Sequence, residues 1–529
     1  MPIRMVNDPN DSGDEGYQYE SNDNSSNYGG GNRGGNGWLI WILLQIFWRN
    51  PFLGLFIFII GGLFMFGRGC RLANSQNNTT QYTTGSELNS KEFAKAKVYE
   101  PLDEALNNLP EAVSLQKFAP TPLNQGLQGS CVGWSSAYAA RTIIEAISSQ
   151  KNPNDIAFSP SFLYNQIKLN GCNGSYLINA MDKMTSIGSV PLKAFGYTDK
   201  DCEREPGNDL FQLAENYKMM GFSRLTAGEG TQKINVRAIK EHLAKDVPVV
   251  IGMMVGGSFM EEMKGKDVWQ PTDDDFQQLG FGGHALCIIG YDDRKDGQGA
   301  FLLMNSWGTE WGNGGFAWVY YKDFVYFVKE AFGLHPLPTK ATVLEQSLTC
   351  TIALLAGKER EPINFQPNKG WEFTTEKAIL KGTSFKIQVQ NNQPCFVYVI
   401  GKELNGKTYV LFPYPIDEEK GLTKFSPYCG ITGNRVFPRG MSLYADEEGN
   451  EDEMMVIVAN KELAIFDLNN FLNQQPFQPL NYKMKRYLAK ETKAALNQAN
   501  ESNVNAVTVM LNKDENVTLN YCILKIRKQ

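Results

Sequence analysis

Hydrophobic and polar positions fall into distinct regimes along the chain. Residues 1–36 are rich in Asn, Gly, Ser and Asp with almost no aliphatic residues, and carry six acidic side chains against two basic ones. Such a segment cannot bury enough apolar surface to offset its ordering entropy, so it is expected to be disordered. The pattern then inverts. WLIWILLQIFW (38–48) and PFLGLFIFIIGGLFMF (51–66) form one apolar block broken only by Arg49 and Asn50. The second part has 16 uncharged residues, near the lower limit for a spanning helix, and Trp38, Trp41 and Trp48 suit an interfacial belt. A transmembrane anchor is expected over 37–67. A cleaved signal peptide would lie closer to residue 1, start basic and end in small residues. Residues 68–108 are polar, then weakly helical (FAKAKVYEPLDEALNNL), and read as a linker.

From 109 to 338 the periodicity is mixed. A helical stretch follows Cys131, through Trp134, Ala137, Tyr138, Arg141, Ile144 and Glu145. Apolar strand-like runs come later, at 249–254, 285–291, 301–305 and 316–321. Helix early and sheet late predicts an α+β unit with two lobes. Residues 339–529 alternate as strands do, at 385–390, 395–400, 408–412, 454–459, 504–511 and 517–526, with a helix expected over 482–498. The Asn405-Gly406 turn signal before TYVLF predicts a hairpin. This half reads as a separate β-rich domain.

Composition narrows the function. Among 529 residues, 42% are hydrophobic and 20% charged, an ordinary globular balance. A net charge of −6 without a concentrated basic face excludes nucleic acid as the main partner. The nine cysteines contain no CxxC pair, so zinc-ribbon spacing is absent, and neither a metal nor a cofactor is implied. Only three histidines, His242, His284 and His335, can serve a His-based mechanism. His242 sits in a charged amphipathic stretch (AIKEHLAKD) and is expected to be solvated, while His335 lies in an exit loop beside Pro336.

Thiol attack on a carbonyl needs a thiolate, a base, a group that orients the base, and donors for the oxyanion. Cys131 follows NQGLQGS and opens the helical stretch, where the helix N-terminus would depress its pKa. Gln125, on the preceding glycine-bearing loop, could offer an amide to the oxyanion beside the Cys131 backbone N–H. His284 stands at the mouth of an apolar strand in GGHALCIIGY, and Asn305 in NSWGTEWG could fix its tautomer while Trp307 shields that bond. Taken singly, each has a bland reading: a buried inert cysteine, a surface histidine, a turn with two packing tryptophans.

In order, QGLQGSC, GGHALCIIGY and NSWGTEWGNGGF resemble the three active-site blocks of papain-like cysteine peptidases. The approach LPEAVSLQKFAPTPLNQG is similar to the start of that family's mature domain, and CNGSY (172–176) resembles its CNGG-type cleft segment. The likeness covers about 109–335. It implies Cys131 as nucleophile, His284 as base, Asn305 as orienter and Gln125 as oxyanion amide. It further implies backbone bonds to substrate from Gly174 and Ser175, and a side-chain pocket near Tyr176, Met254 and Ala285. The sequence departs from the family where Val132 replaces the usual Trp after the nucleophile, with Trp134 nearby. Gln128 stands where a cysteine is usual, so the partner expected for Cys172 is missing, and Cys202 is the nearest substitute. The long helical prosegment typical of the family has no room. The C-terminal half is weakly similar to β-rich accessory domains that bacteria append to enzymes, which tilts the source toward bacteria and suggests docking.

The expectation is therefore a single-pass, membrane-tethered cysteine endopeptidase acting on peptides or proteins, its bulk outside the cytoplasm. Alternatives are a papain-fold transpeptidase, with an amine in place of water, and an inactive binding scaffold.

Overall fold

The computed structural model describes residues 3–7, 82–226, 233–337, 347–368, 371–491, 501–503, 505–511 and 517–529. The expected anchor at 37–67 lies outside them, as does most of the 1–36 tail; among the described residues no helix is long and apolar enough to cross a membrane. Ile3–Asn7, read from sequence as part of a disordered tail, instead pairs antiparallel with Met441–Ala445.

Cys131 begins a continuous helical run of three segments, Cys131–Gly133, Trp134–Arg141 and Thr142–Ser149, the middle one π-wound. Its small residues, Gly133, Ala137 and Ala140, permit close packing against neighbouring elements, and all three are buried. Gly133 shows how close: a Cβ there would stand 2.7 Å from the carbonyl oxygen of Pro160, which opens helix Pro160–Ile167. The second lobe is a sheet ordered Phe222–Arg224, Val328–Leu334, Val249–Val255, Gly282–Asp292, Ala300–Met304, Phe316–Tyr320 and Val268–Trp269, with Ala112–Ser114 also on Gly282–Asp292. Strand Gly282–Asp292 is buried along almost its whole length because it has neighbours on both edges and the helical run against its face. The predicted α+β organisation is the one observed.

The C-terminal half is a sandwich. One sheet centres on Leu348–Ala356 and Ser384–Asn391, the other on Cys395–Lys402, Glu451–Ala459 and Leu519–Arg527. Alternate residues of both, among them Ile352, Ile387, Val397, Val456 and Leu524, fill the space between. Helices Ile465–Asn473 and Leu480–Glu491 cover the outer face of the second sheet through Leu468, Leu472 and Met484. Cys395–Lys402 and Thr408–Phe412 form the predicted hairpin, with Gly406 at φ +84° in its turn.

The segment leading into the first domain departs from its reading as a linker. Only Ser90–Phe93 is helical, and Phe93, Val98, Tyr99 and Leu102 are buried. Val98 bridges Arg224 on one side and Phe425 of the sandwich half on the other.

Candidate active site

The helical run delivers Cys131, strand Gly282–Asp292 delivers His284, and the turn after Ala300–Met304 delivers Asn305. Asn305 Oδ1 accepts from His284 Nε2 at 2.8 Å, and the backbone N–H of Ala285 donates to Cys131 Sγ at 3.4 Å. The thiol thus rests against the residue that follows the imidazole. His284 Nδ1 has no hydrogen-bond partner among the described residues, so it is the nitrogen left for chemistry. Trp307 stacks on the His284 ring, with centroids 4.3 Å apart, and covers it. Gln125 is held by Ser306, whose hydroxyl donates to Gln125 Oε1 at 2.7 Å. That bond aims the Gln125 amide N–H outward, a role for Ser306 that the sequence did not indicate.

Cys131 and His284 are fully buried. Burial pushes the thiol up to about 12, against the lowering by N–H groups of Ala285, Val132 and Cys131 itself. Burial likewise holds the imidazole down to about 4, with the Asn305 bond pulling the other way. Desolvation penalises both charged forms, so the covered pair rests as neutral thiol and neutral imidazole. The expected lowering of the thiol pKa by the helix N-terminus is overridden here.

Residues 111–330 match the family described as papain family cysteine protease. This segment is a papain-like cysteine peptidase domain. Mouse cathepsin K is 27% identical over 235 residues, covering 43% of this chain and 64% of that protein. A peptidase C1-like protein of Acanthamoeba polyphaga mimivirus is 26% identical, covering 40% of this chain and 66% of its own length. The chain thus spans just under two thirds of these two relatives. Among solved structures, the Xylella fastidiosa cysteine protease xylellain aligns at 22% identity and a TM-score of 0.40, over 50% of this chain and 99% of that one.

The cleft of the peptidase domain is filled by the chain itself. Residues 82–88 (YTTGSEL) thread through it as a strap. Thr83 O accepts from the Gln125 amide and from Trp307 Nε1, each at 3.0 Å. Tyr82 stacks on the Trp307 indole at 4.7 Å. Ser175 N donates to Gly85 O at 3.0 Å and Ser175 O accepts from Glu87 N at 2.9 Å, a parallel bridge centred on Ser86. On the facing side, Gly283 O accepts from the N–H groups of Gly85 and Ser86. Glycines make this approach possible: a Cβ on Gly174 would lie 2.6 Å from Gly85 O, and one on Gly85 would lie 2.2 Å from Gly129 O.

Leu88 enters a side-chain pocket. Hypothetical Cβ atoms on Gly252 and Gly283 would meet it at 2.4 and 2.9 Å, and Leu177 and Glu330 stand beside Gly252. Tyr176 precedes Leu177, and Met254 shares the strand of Gly252; neither Leu177, Gly252 nor Glu330 was named from sequence. Glu330 is 4% exposed and accepts from Asn89 N at 3.0 Å, and burial pushes its carboxyl up to about 7. Ala285, expected in the pocket, gives its backbone N–H to the thiol. Cys172 is bonded to Cys202, with Cα atoms 6.1 Å apart, the pairing expected from the missing cysteine at Gln128. His242 is a correction. It is 1% exposed, not solvated, with Nδ1 2.7 Å from Ala238 O and its ring against Tyr99.

Proposed function

We propose that the chain is a cysteine endopeptidase that hydrolyses peptide bonds through an acyl-enzyme. The observation that carries this is the Cys131–His284–Asn305 arrangement, with the Gln125 amide already bonded to a carbonyl oxygen. Once water or substrate enters the cleft, the desolvation that keeps the pair neutral is relieved, and His284 can take the thiol proton. Cys131 Sγ then attacks the scissile carbonyl. The Gln125 amide and the Cys131 N–H stabilise the oxyanion, and protonated His284 gives its proton to the leaving amine. Neutral His284 next activates water to release the acyl group. The apolar span at 37–67 supports a membrane tether. The Cys172–Cys202 bridge supports placing the peptidase domain in an oxidising compartment outside the cytoplasm.

Because the strap fills the cleft, turnover is best measured in a Gly85→Ala chain, whose new Cβ cannot coexist with the Gly129 carbonyl. Peptide-library cleavage should appear there and vanish when Cys131→Ala is added. Equal turnover with and without Cys131 would exclude the mechanism. A product mass showing an added amine rather than water would reassign the acceptor.

A further inference from the structure

The strap does not end at the cleft. Beyond Ser90–Phe93, residues 97–107 run along a seam with the peptidase domain on one side and the sandwich on the other. From the peptidase domain, Arg224 O accepts from Tyr99 N, and Glu241, fully buried, accepts from Tyr99 Oη and Leu102 N. The sandwich contributes at least as many bonds. Lys424 O accepts from Val98 N, and Ser426 N donates to Val98 O. Buried Arg435 donates from Nε to Glu100 O at 3.1 Å, while its Nη1 and Nη2 are held by Asn391 Oδ1 and Ile431 O. Arg439 Nη2 reaches the carbonyls of Pro101 and Leu102, Arg360 pairs with Asp103 at 2.5 Å, and Asn434 O accepts from Asp103 N.

Buried Arg435 meets a strap carbonyl that would otherwise be left without a donor away from water, where such loss is costly, while Arg439 and the more exposed Arg360 reach strap carbonyls and the buried Asp103 carboxylate. Internal hydrogen bonds of this segment gather at the turn after Asp103, which accepts from Ala105 N, Leu106 N and Asn107 Nδ2, so the irregular stretch 97–102 takes its position from its neighbours. Leaving the cleft requires Tyr82–Leu88 to swing away from Gly283 and Ser175 while the chain is fixed only a few residues later.

From this we propose that the sandwich domain is an intramolecular latch: it clamps residues 97–107 and thereby seats residues 82–88 over Cys131, so that access to the thiol is set by the C-terminal half. This rests on the peptidase reading only for its consequence, turnover; the latch itself concerns access to a sulfur atom.

The test uses the full chain and two readouts, the rate at which iodoacetamide alkylates Cys131 and the rate of peptide turnover. Gly85→Ala evicts the strap directly. Arg360→Gly with Arg439→Gln weakens the clamp from the sandwich side, and glycine suits position 360, where the backbone has φ +55°. Both chains should alkylate at least about tenfold faster than the parent, as expected when a local closed state is destabilised by more than about 1.4 kcal/mol. Parent labelling as fast as Gly85→Ala would overturn the seated strap. Fast labelling in Gly85→Ala but parent-like labelling in the clamp variant would overturn the latch. Fast labelling in both without turnover would keep the latch and reject the peptidase.

Discussion

The imidazole of His284 is held by one oxygen, Asn305 Oδ1, and one indole, Trp307, so its ring is fixed before substrate arrives. Asn305→Ala removes a bond that strengthens when the ring is charged. It should lower kcat by roughly 30-fold, about 2 kcal/mol, measured in the Gly85→Ala background. Ser306 acts one step further out, on Gln125 Oε1. Ser306→Ala should lower kcat by roughly fivefold with little change in KM, because a loosened amide loses more against an oxyanion than against a ground-state carbonyl. The thiol gives a pH signature. With its pKa raised to about 12 in the covered state, the parent's Cys131 is protonated across the neutral range. Its alkylation should climb steadily from pH 7 to 10, whereas Gly85→Ala, with water admitted, should level off earlier. Cys131, His284, Asn305 and Gln125 were legible because each sits in a local motif. Ser306 and Glu330 were not, since their partners, Gln125 and Asn89, lie 181 and 241 residues away.

At the scale of elements, the periodic runs told most of the fold. The helical stretch after Cys131 and the strands at 249–255, 282–292, 300–304 and 316–320 stand where apolar periodicity put them. The exception is 94–108. Its alanines, lysines and leucines favour helix locally, but two flanking domains offer hydrogen bonds to an extended chain, and tertiary pairing outweighs weak propensity. The same blindness misplaced His242, whose helix has charged neighbours but lies under Tyr99 in the seam. Close packing makes one element testable. Gly133→Ala places a methyl 2.7 Å from a backbone carbonyl that cannot rotate away, so it should cost about 1–3 kcal/mol in urea unfolding. His335 is a second case. It stacks on Tyr428 of the sandwich at 4.1 Å and bonds Ser223, and burial, then His242 and Lys97, hold it down to about 3. Its folded pKa lies below the unfolded value near 6.5, so the unfolded chain takes the proton first. The stability it contributes is present above about pH 6.5 and is lost as pH falls toward 3. His335→Gln should therefore show a smaller drop in urea midpoint between pH 7 and 4.5 than the parent.

Among the described residues, the peptidase domain and the sandwich each have an apolar core of their own. One gathers residues from Phe93 to Leu334 and admits Ile431 from the C-terminal half; the other lies between the two sheets of the sandwich. Apolar burial alone would let these units unfold separately, since each has its own core. What couples them is the 97–107 segment, bonded to both and screened from water at Glu100, Asp103, Glu241 and Arg435. Opening either domain exposes that domain's partners of the segment and leaves the rest bonded to a chain that no longer holds a fixed position. The parent should then unfold in one calorimetric transition. Arg360→Gly with Arg439→Gln keeps both cores intact but thins the seam, so the same scan should broaden or divide into two. Adding Gly85→Ala to that variant should change the peptidase transition and leave the sandwich transition in place, because the collision it creates, with Gly129, lies wholly within the peptidase cleft. A parent that already unfolds in two independent steps would mean that the seam transmits nothing from one half to the other.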